Sequence, residues 1–170
     1  QDQPTEGLAL NHVSGVWLFV LLGLWQVAWG FGQLGDMPSS WPVLGWALVP
    51  AALLGLLPHP ALQSYWPLSQ WQRHYLWLAA APLALLLYLW SFTANGCSDG
   101  SAIPLPYLPL LNPLDLAQAT VWLMLWRWSR SPVVAPELAK YLSTSQYWSA
   151  LGAGIFVWLN AILLRSFHHW

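Results

Sequence analysis

Long apolar runs alternate along the chain with short connectors rich in proline, glycine and aromatic residues. The first run extends from Val13 to Leu34. At about 1.5 Å per residue it is long enough to span the roughly 30 Å hydrocarbon core of a bilayer. Gly15, Gly23, Gly30 and Gly32 would weaken a helix in water, but in a membrane they let neighbouring backbones approach. Gln26 is the strongly polar side chain in its middle and reads as an interhelical hydrogen-bond partner. A turn signal at Gly35–Ser40 leads to a second run, opened by Trp41-Pro42 and closed by Leu57-Pro58, with Pro50 predicted to kink it. This run is short; a re-entrant segment is the alternative, and we favour a span. His59 to Gln72, with Tyr65, Trp66 and Trp71, reads as a connector lying in the interface plane.

The third run, Tyr75 to Phe92, follows Arg73-His74 and contains Pro82, a second predicted kink. The fourth is Leu114 to Trp128, ending in Arg127-Trp128-Ser129-Arg130. A polar link to Lys140 precedes the last run, from about Ser143 to Phe167. There the Ala150/Gly154 spacing is the small-xxx-small pattern of close helix packing. The pattern predicts an all-α fold, a polytopic integral membrane bundle of about five transmembrane helices. These lie at roughly 13–34, 42–58, 73–93, 113–128 and 143–167, within one unit covering 1–170. No internal repeat divides it.

One connector breaks the pattern. From Asn95 to Asn112 the chain holds Pro104, Pro106 and Pro109, yet also Ile103, Leu105, Tyr107, Leu108, Leu110 and Leu111. Each proline removes a backbone donor, so a plain helix is excluded. An apolar, proline-punctuated outer connector is expected to pack on or between helices, where protein groups satisfy its backbone. Its end is a helix start: Asn112 as N-cap, Pro113 in the first position, and Asp115 facing the positive end of the helix dipole.

Composition sharpens this reading. The chain is 57% hydrophobic and 6% charged, against about a quarter charged in soluble domains. Fifteen Trp fit the membrane–water interface. With five Lys plus Arg and a net charge of −1, nucleic-acid binding has no electrostatic basis. Cys97 alone supports neither an internal disulfide nor a cysteine metal site. The chain starts at Gln1 without a signal peptide and stops directly after an apolar run, so it reads as a fragment of a longer membrane protein. Membrane lipids and the remaining helices of that protein are the expected partners, with no cofactor and no metal.

Charge sets an orientation. Five crossings put the connectors at 58–74 and 127–142 on one side, with Arg73, Arg127, Arg130 and Lys140. The other side holds Asp36, Asp99, Asp115 and only Arg165 among the basic residues. The positive-inside rule then places the N-terminus in the cytoplasm. The 94–112 connector is then expected on the outer side, which in the inner membrane of a Gram-negative bacterium is the periplasmic side.

That topology gathers polar groups on the outer face. Asp115, Arg165 and His168 are the candidates for acid–base chemistry or anion binding. Asn112, Asn160, His169 and Asp99 are the structural or binding candidates, Asn160 lying about a turn and a half from Arg165. Each also has a plain reading: Asp115 as a dipole partner, Arg165 as an interfacial anchor, and Cys97 as an idle thiol. Adjacent His168 and His169 point about 100° apart on a helix, a poor metal face. No phosphate loop, serine elbow or His-Glu-x-x-His motif is present.

Two segments carry a likeness: residues 104–118, with their unusual proline spacing, and Trp158-Leu-Asn-Ala-Ile-Leu-Leu-Arg-Ser-Phe-His-His-Trp170. They resemble a family of large bacterial multi-pass predicted membrane proteins catalogued as a domain of unknown function, number 2339. The resemblance implies more membrane spans than this chain contains, and no reaction or site residues. Asn112, Asp115, Asn160, Arg165 and the His pair fall inside the two familiar segments, which makes their meeting more expected. Two functions follow: a non-catalytic scaffold or transporter-like module of the cell envelope, or an outer-leaflet enzyme acting on a lipid-linked sugar or acyl carrier.

Overall fold

The computed structural model describes residues 3–33, 40–103 and 105–169. The expected turn at Gly35–Ser39, with Asp36, lies outside the described residues, as do Pro104 and Trp170. Among the described residues the fold is all-helical: α1 Gln3–Gln33, α2 Ser40–Leu56, α3 Pro60–Gln63, α4 Ala80–Cys97, α5 Pro113–Ser129, α6 Val134–Leu138 and α7 Thr144–His169. The only extended pairing described is an isolated bridge between Ala102 and Leu105.

The first helix begins at Gln3, not near residue 13 as the hydropathy suggested. Its N-terminal residues are polar, but no breaker lies among them except Pro4, which a first helical turn tolerates. The helix α2 continues unbroken through a buried Pro50. Entry to α4 is a π-helical turn over His74–Ala79, where the Ala80 amide donates to the Tyr75 carbonyl, five residues back. Pro82 has no amide to continue the α-helical ladder, and its ring would press on the carbonyl four residues earlier. A wider turn placed just before it relieves that crowding. At α5 the Asn112 side chain accepts from the Leu114 amide at 2.8 Å, and Pro113 follows in the first turn.

Contacts at the helix ends fix the directions. At one end Ser40 Oγ and Ser98 Oγ are 2.9 Å apart, and Arg165 meets Asp115. At the other, Tyr75 Oη lies 2.9 Å from His12 Nδ1, Arg73 pairs with Glu137, and Trp128 Nε1 donates to the Leu76 carbonyl. So α1, α4 and α7 run one way and α2 and α5 the other. We call the first the connector end and the second the basic end.

One apolar cluster joins α2, the π-turn, α4, α5 and α6, with Leu54, Leu76, Leu87, Leu114 and Val134 completely buried. Val20 and Leu24 of α1 close against Leu83 of α4. Gly154 of α7 lies against the Trp122 ring, where an added Cβ would overlap the indole. The outer faces are apolar: Trp25, Phe156, Leu164 and Phe167 are 75%, 68%, 71% and 82% exposed. In water such surface would drive association; in hydrocarbon it is solvated. Gly7–Phe31, His74–Cys97 and Thr144–His169 are long and apolar enough to cross a membrane, and α2 is apolar but shorter.

Candidate functional site

The connector end is built around a buried ion pair. Asp115 enters from the first turn of α5, fixed by the Asn112 cap two residues before that helix's second position. Arg165 arrives from α7, one helical stripe with buried Ala161 and Ile162. Arg165 Nη1 donates to Asp115 Oδ1 at 2.7 Å, and the two side chains are 5% and 0% exposed. Arg165 Nη2 donates to Asn95 Oδ1, which brings in α4. A charge this deep is tolerated only with a partner and further hydrogen bonds.

Polar partners continue inward. Asn95 Nδ2 donates to the Ser91 carbonyl at 2.8 Å, and Gln118 Nε2 donates to the same carbonyl at 3.1 Å. Ser91 Oγ donates back to Gln118 Oε1. Gln118 sits three residues after Asp115, on the same face of α5, and is fully buried. The result is a polar seam across α4, α5 and α7. It is not fully satisfied. The Trp158 indole and the Leu110 amide approach the Asp115 carboxylate. Yet Asp115 Oδ2, Trp158 Nε1 and Arg165 Nε complete no hydrogen bond of standard geometry.

The connector closes over this seam. Asn112 Nδ2 donates to the Gly100 carbonyl, and the Gly100 amide donates to Ser98 Oγ at 3.2 Å. Gly100 has φ +80°, and a Cβ there would come within 2.9 Å of Arg165 Cδ and 3.1 Å of Tyr107. Only glycine provides both the left-handed turn and the close approach. Tyr107 Oη donates weakly to the Ile162 carbonyl at 3.4 Å, and burial holds that hydroxyl above the usual tyrosine range. Ser98, Gly100, Ala102 and Asn112 are buried, whereas Ile103 and Leu111 are 64% and 65% exposed. A loop with its small polar groups inside and its large apolar groups outside suits contact with lipid or another apolar surface.

The buried charge pair lies under an apolar-faced loop, and α7, which carries Arg165, and α4 with its π-turn are long and apolar enough to cross a membrane. The family description "Predicted membrane protein (DUF2339)" matches residues 1–170. The chain belongs to the DUF2339 family. It is therefore a membrane protein of a family whose function is unknown. Neither the curated proteins nor the solved structures contain a match.

In this DUF2339 chain the candidate residues separate. Asp115, Arg165 and Asn112 lie in or directly beside the seam. His169 is exposed, stacks on Tyr107 at 4.3 Å, and its Nε2 donates to the Asp99 carbonyl at 3.0 Å. Asp99 is exposed and its Oδ1 accepts from the Ser101 amide. His168 is exposed and touches the ring of His169 edge-on. Asn160 is exposed and donates to the Phe156 carbonyl of its own helix, so it is not joined to Arg165. Gln26 is likewise exposed on α1. Asn95, Ser91, Gln118 and Trp158 were not singled out from the sequence. The Asp115/Gln118 and Ser91/Asn95 spacings were the available signal, since each pair shares one helical face.

Proposed function

We propose that this chain is a non-catalytic packing module of a bacterial inner-membrane protein, scaffold or transporter-like in role. Its five long helices cross the bilayer, α2 and α5 as short spans. The N-terminus and basic end are cytoplasmic, and the 94–112 connector is periplasmic. The observation that carries this reading is the closure of the polar centre. Asp115 and Arg165 are buried and tied to each other and to Asn95 beneath the connector. A group that must reach a substrate needs an open approach, whereas a group that fixes the register of three helices needs burial. The exposed apolar faces of α1 and α7 then meet lipid or further helices of the envelope protein.

A second reading, an outer-leaflet enzyme acting on a lipid-linked sugar or acyl carrier, is favoured by one feature. Asp115 Oδ2, Arg165 Nε and Trp158 Nε1 retain unused hydrogen-bonding capacity at one place. Deleting the gene and analysing envelope lipids and glycans separates the two readings. A packing module leaves both compositions restored when the deletion is complemented by an Asp115→Asn/Arg165→Met protein that reaches the membrane at normal abundance. An accumulated lipid-linked intermediate that this folded variant fails to clear supports the enzyme.

A further inference from the structure

Beyond the polar seam, the molecule carries a groove of about 640 Å³ between α2 and α5, with α1 at one mouth. Its floor is Ala51, Ala52 and Gly55 of α2 facing Val121 and Met124 of α5. Its two mouths differ. Trp41, Phe31 and Pro113 stand at the connector end, and His59 and Arg127 at the basic end. Because α2 and α5 run in the same direction, the groove follows the bundle axis. From Trp41 to Leu56 is 15 residues, or about 22 Å of helix, more than the roughly 15 Å depth of one leaflet.

The basic mouth distinguishes this groove from the other apolar faces. Arg73 and Lys140 both bind Glu137, at 3.0 and 2.9 Å, and Arg165 binds Asp115. Arg127 is exposed and has no acidic partner among the described residues. A guanidinium at the interface, at the end of an apolar channel, presents a phosphate-binding fork above an acyl-sized slot. Neutral lipids satisfy the slot but not the fork.

We infer that this groove is a binding site for one anionic phospholipid, its phosphate held by Arg127 beside His59 and one acyl chain lying along Ala52, Gly55 and Met124. The inference rests on the spanning arrangement proposed above, with the basic end at the leaflet where anionic lipid concentrates. It does not depend on whether the polar seam is structural or catalytic. The occupant is a lipid and not a protein helix because the charge is at one mouth only and the slot is narrowed by Met124, which lies over Gly55.

The test uses the intact protein in nanodiscs of phosphatidylcholine containing a minority of phosphatidylglycerol, with retained lipid counted by native mass spectrometry. One phosphatidylglycerol is expected to stay bound in preference to phosphatidylcholine. Arg127→Gln should weaken that preference about fivefold, the size expected for one basic side chain at a membrane surface. Arg130→Gln, which removes an exposed charge outside the groove, should leave it unchanged. A photo-crosslinking residue at Ala52 should capture lipid. Equal retention of both lipids, an unaffected Arg127→Gln protein, an equal effect of Arg130→Gln, or capture of a protein segment at Ala52 would each overturn the proposal. Thermal melts of the same variants keep the two readings apart. Equal retention of the two lipids by wild type and Arg127→Gln alike, with normal melts, refutes the lipid site and leaves the packing module standing.

Discussion

Replacing Arg165 by methionine should destabilise the bundle far more than replacing both members of its ion pair. In the native protein Arg165 Nη1 donates to Asp115 Oδ1 at 2.7 Å, and Nη2 donates to Asn95. Arg165→Met leaves a completely buried carboxylate with no cation, and breaking a buried pair in this way costs about 3–5 kcal/mol. The acceptor left on Asn95, which is only half-buried, adds about 1 kcal/mol. For a chain of this size each kcal/mol lowers Tm by about 2–4 °C, so the melt should fall by roughly 15 °C. Asp115→Asn alone strands the guanidinium and should cost a similar amount. The double variant Asp115→Asn/Arg165→Met removes both charges, and an uncompensated charge in a bilayer costs about 2.5–3.5 kcal/mol by itself. Its stability should return to within about 2 kcal/mol of the wild type. The assay is thermal or denaturant unfolding of the intact protein in nanodiscs, read as a double-mutant cycle. Single variants within about 1 kcal/mol of the wild type, or losses that simply add in the double variant, would refute a desolvated, coupled pair.

Other outcomes follow from the same geometry. Gly154→Ala pushes a methyl into the buried Trp122 ring and should cost about 1–3 kcal/mol in the same melt, with a larger loss for Gly154→Leu. Leu110 holds φ 67°, so Leu110→Gly should not destabilise and should gain up to about 1 kcal/mol by relieving the left-handed strain. Arg73 and then Lys140 hold the Glu137 carboxyl below its usual range. Its stabilising effect is present above the ordinary carboxylate range and fades as the pH falls through its lowered value, so Glu137→Gln should flatten the acid side of the stability profile. Labelling with a membrane-impermeant maleimide should reach exposed Cys97 from the periplasmic side and Ser143→Cys, in a Cys97→Ser background, from the cytoplasm. Labelling of both from one side would overturn the proposed topology.

Much of the architecture was legible because a bilayer leaves the chain few choices. Apolar runs must be helices, since hydrocarbon offers no partner to a backbone amide. The start of α5 was legible too, as Asn112-Pro113 and Asp115 form a local signal that needs no tertiary knowledge. The start of α1 was not, because hydropathy marks where a helix enters lipid and not where its hydrogen bonding begins. At the connector end, shared depth put Asp115 and Arg165 at one level, but depth says nothing of rotation about the helix axis. Asn160 shows the consequence: it lies close to Arg165 along α7 yet faces outward. The partners that complete the seam were hidden for a different reason. Ser91, Asn95 and Gln118 are ordinary polar residues inside apolar helices, and only the packing of α4 against α5 reveals that they face each other. The inverted connector follows the same logic. Its leucines advertise an apolar loop, but Gly100 and Asn112 decide which side of it turns inward.

If the polar centre is closed to water, its carboxylate is out of reach of a water-soluble reagent. Intact membranes treated with a water-soluble carbodiimide and an amine, then digested and read by mass spectrometry, report each carboxyl separately. Asp99 is exposed and Asp115 completely buried, so Asp99 should be modified while Asp115 stays unreacted until the protein is denatured. Modification of Asp115 at a rate comparable to Asp99 in native membranes would show an open, hydrated centre and rule out a closed one.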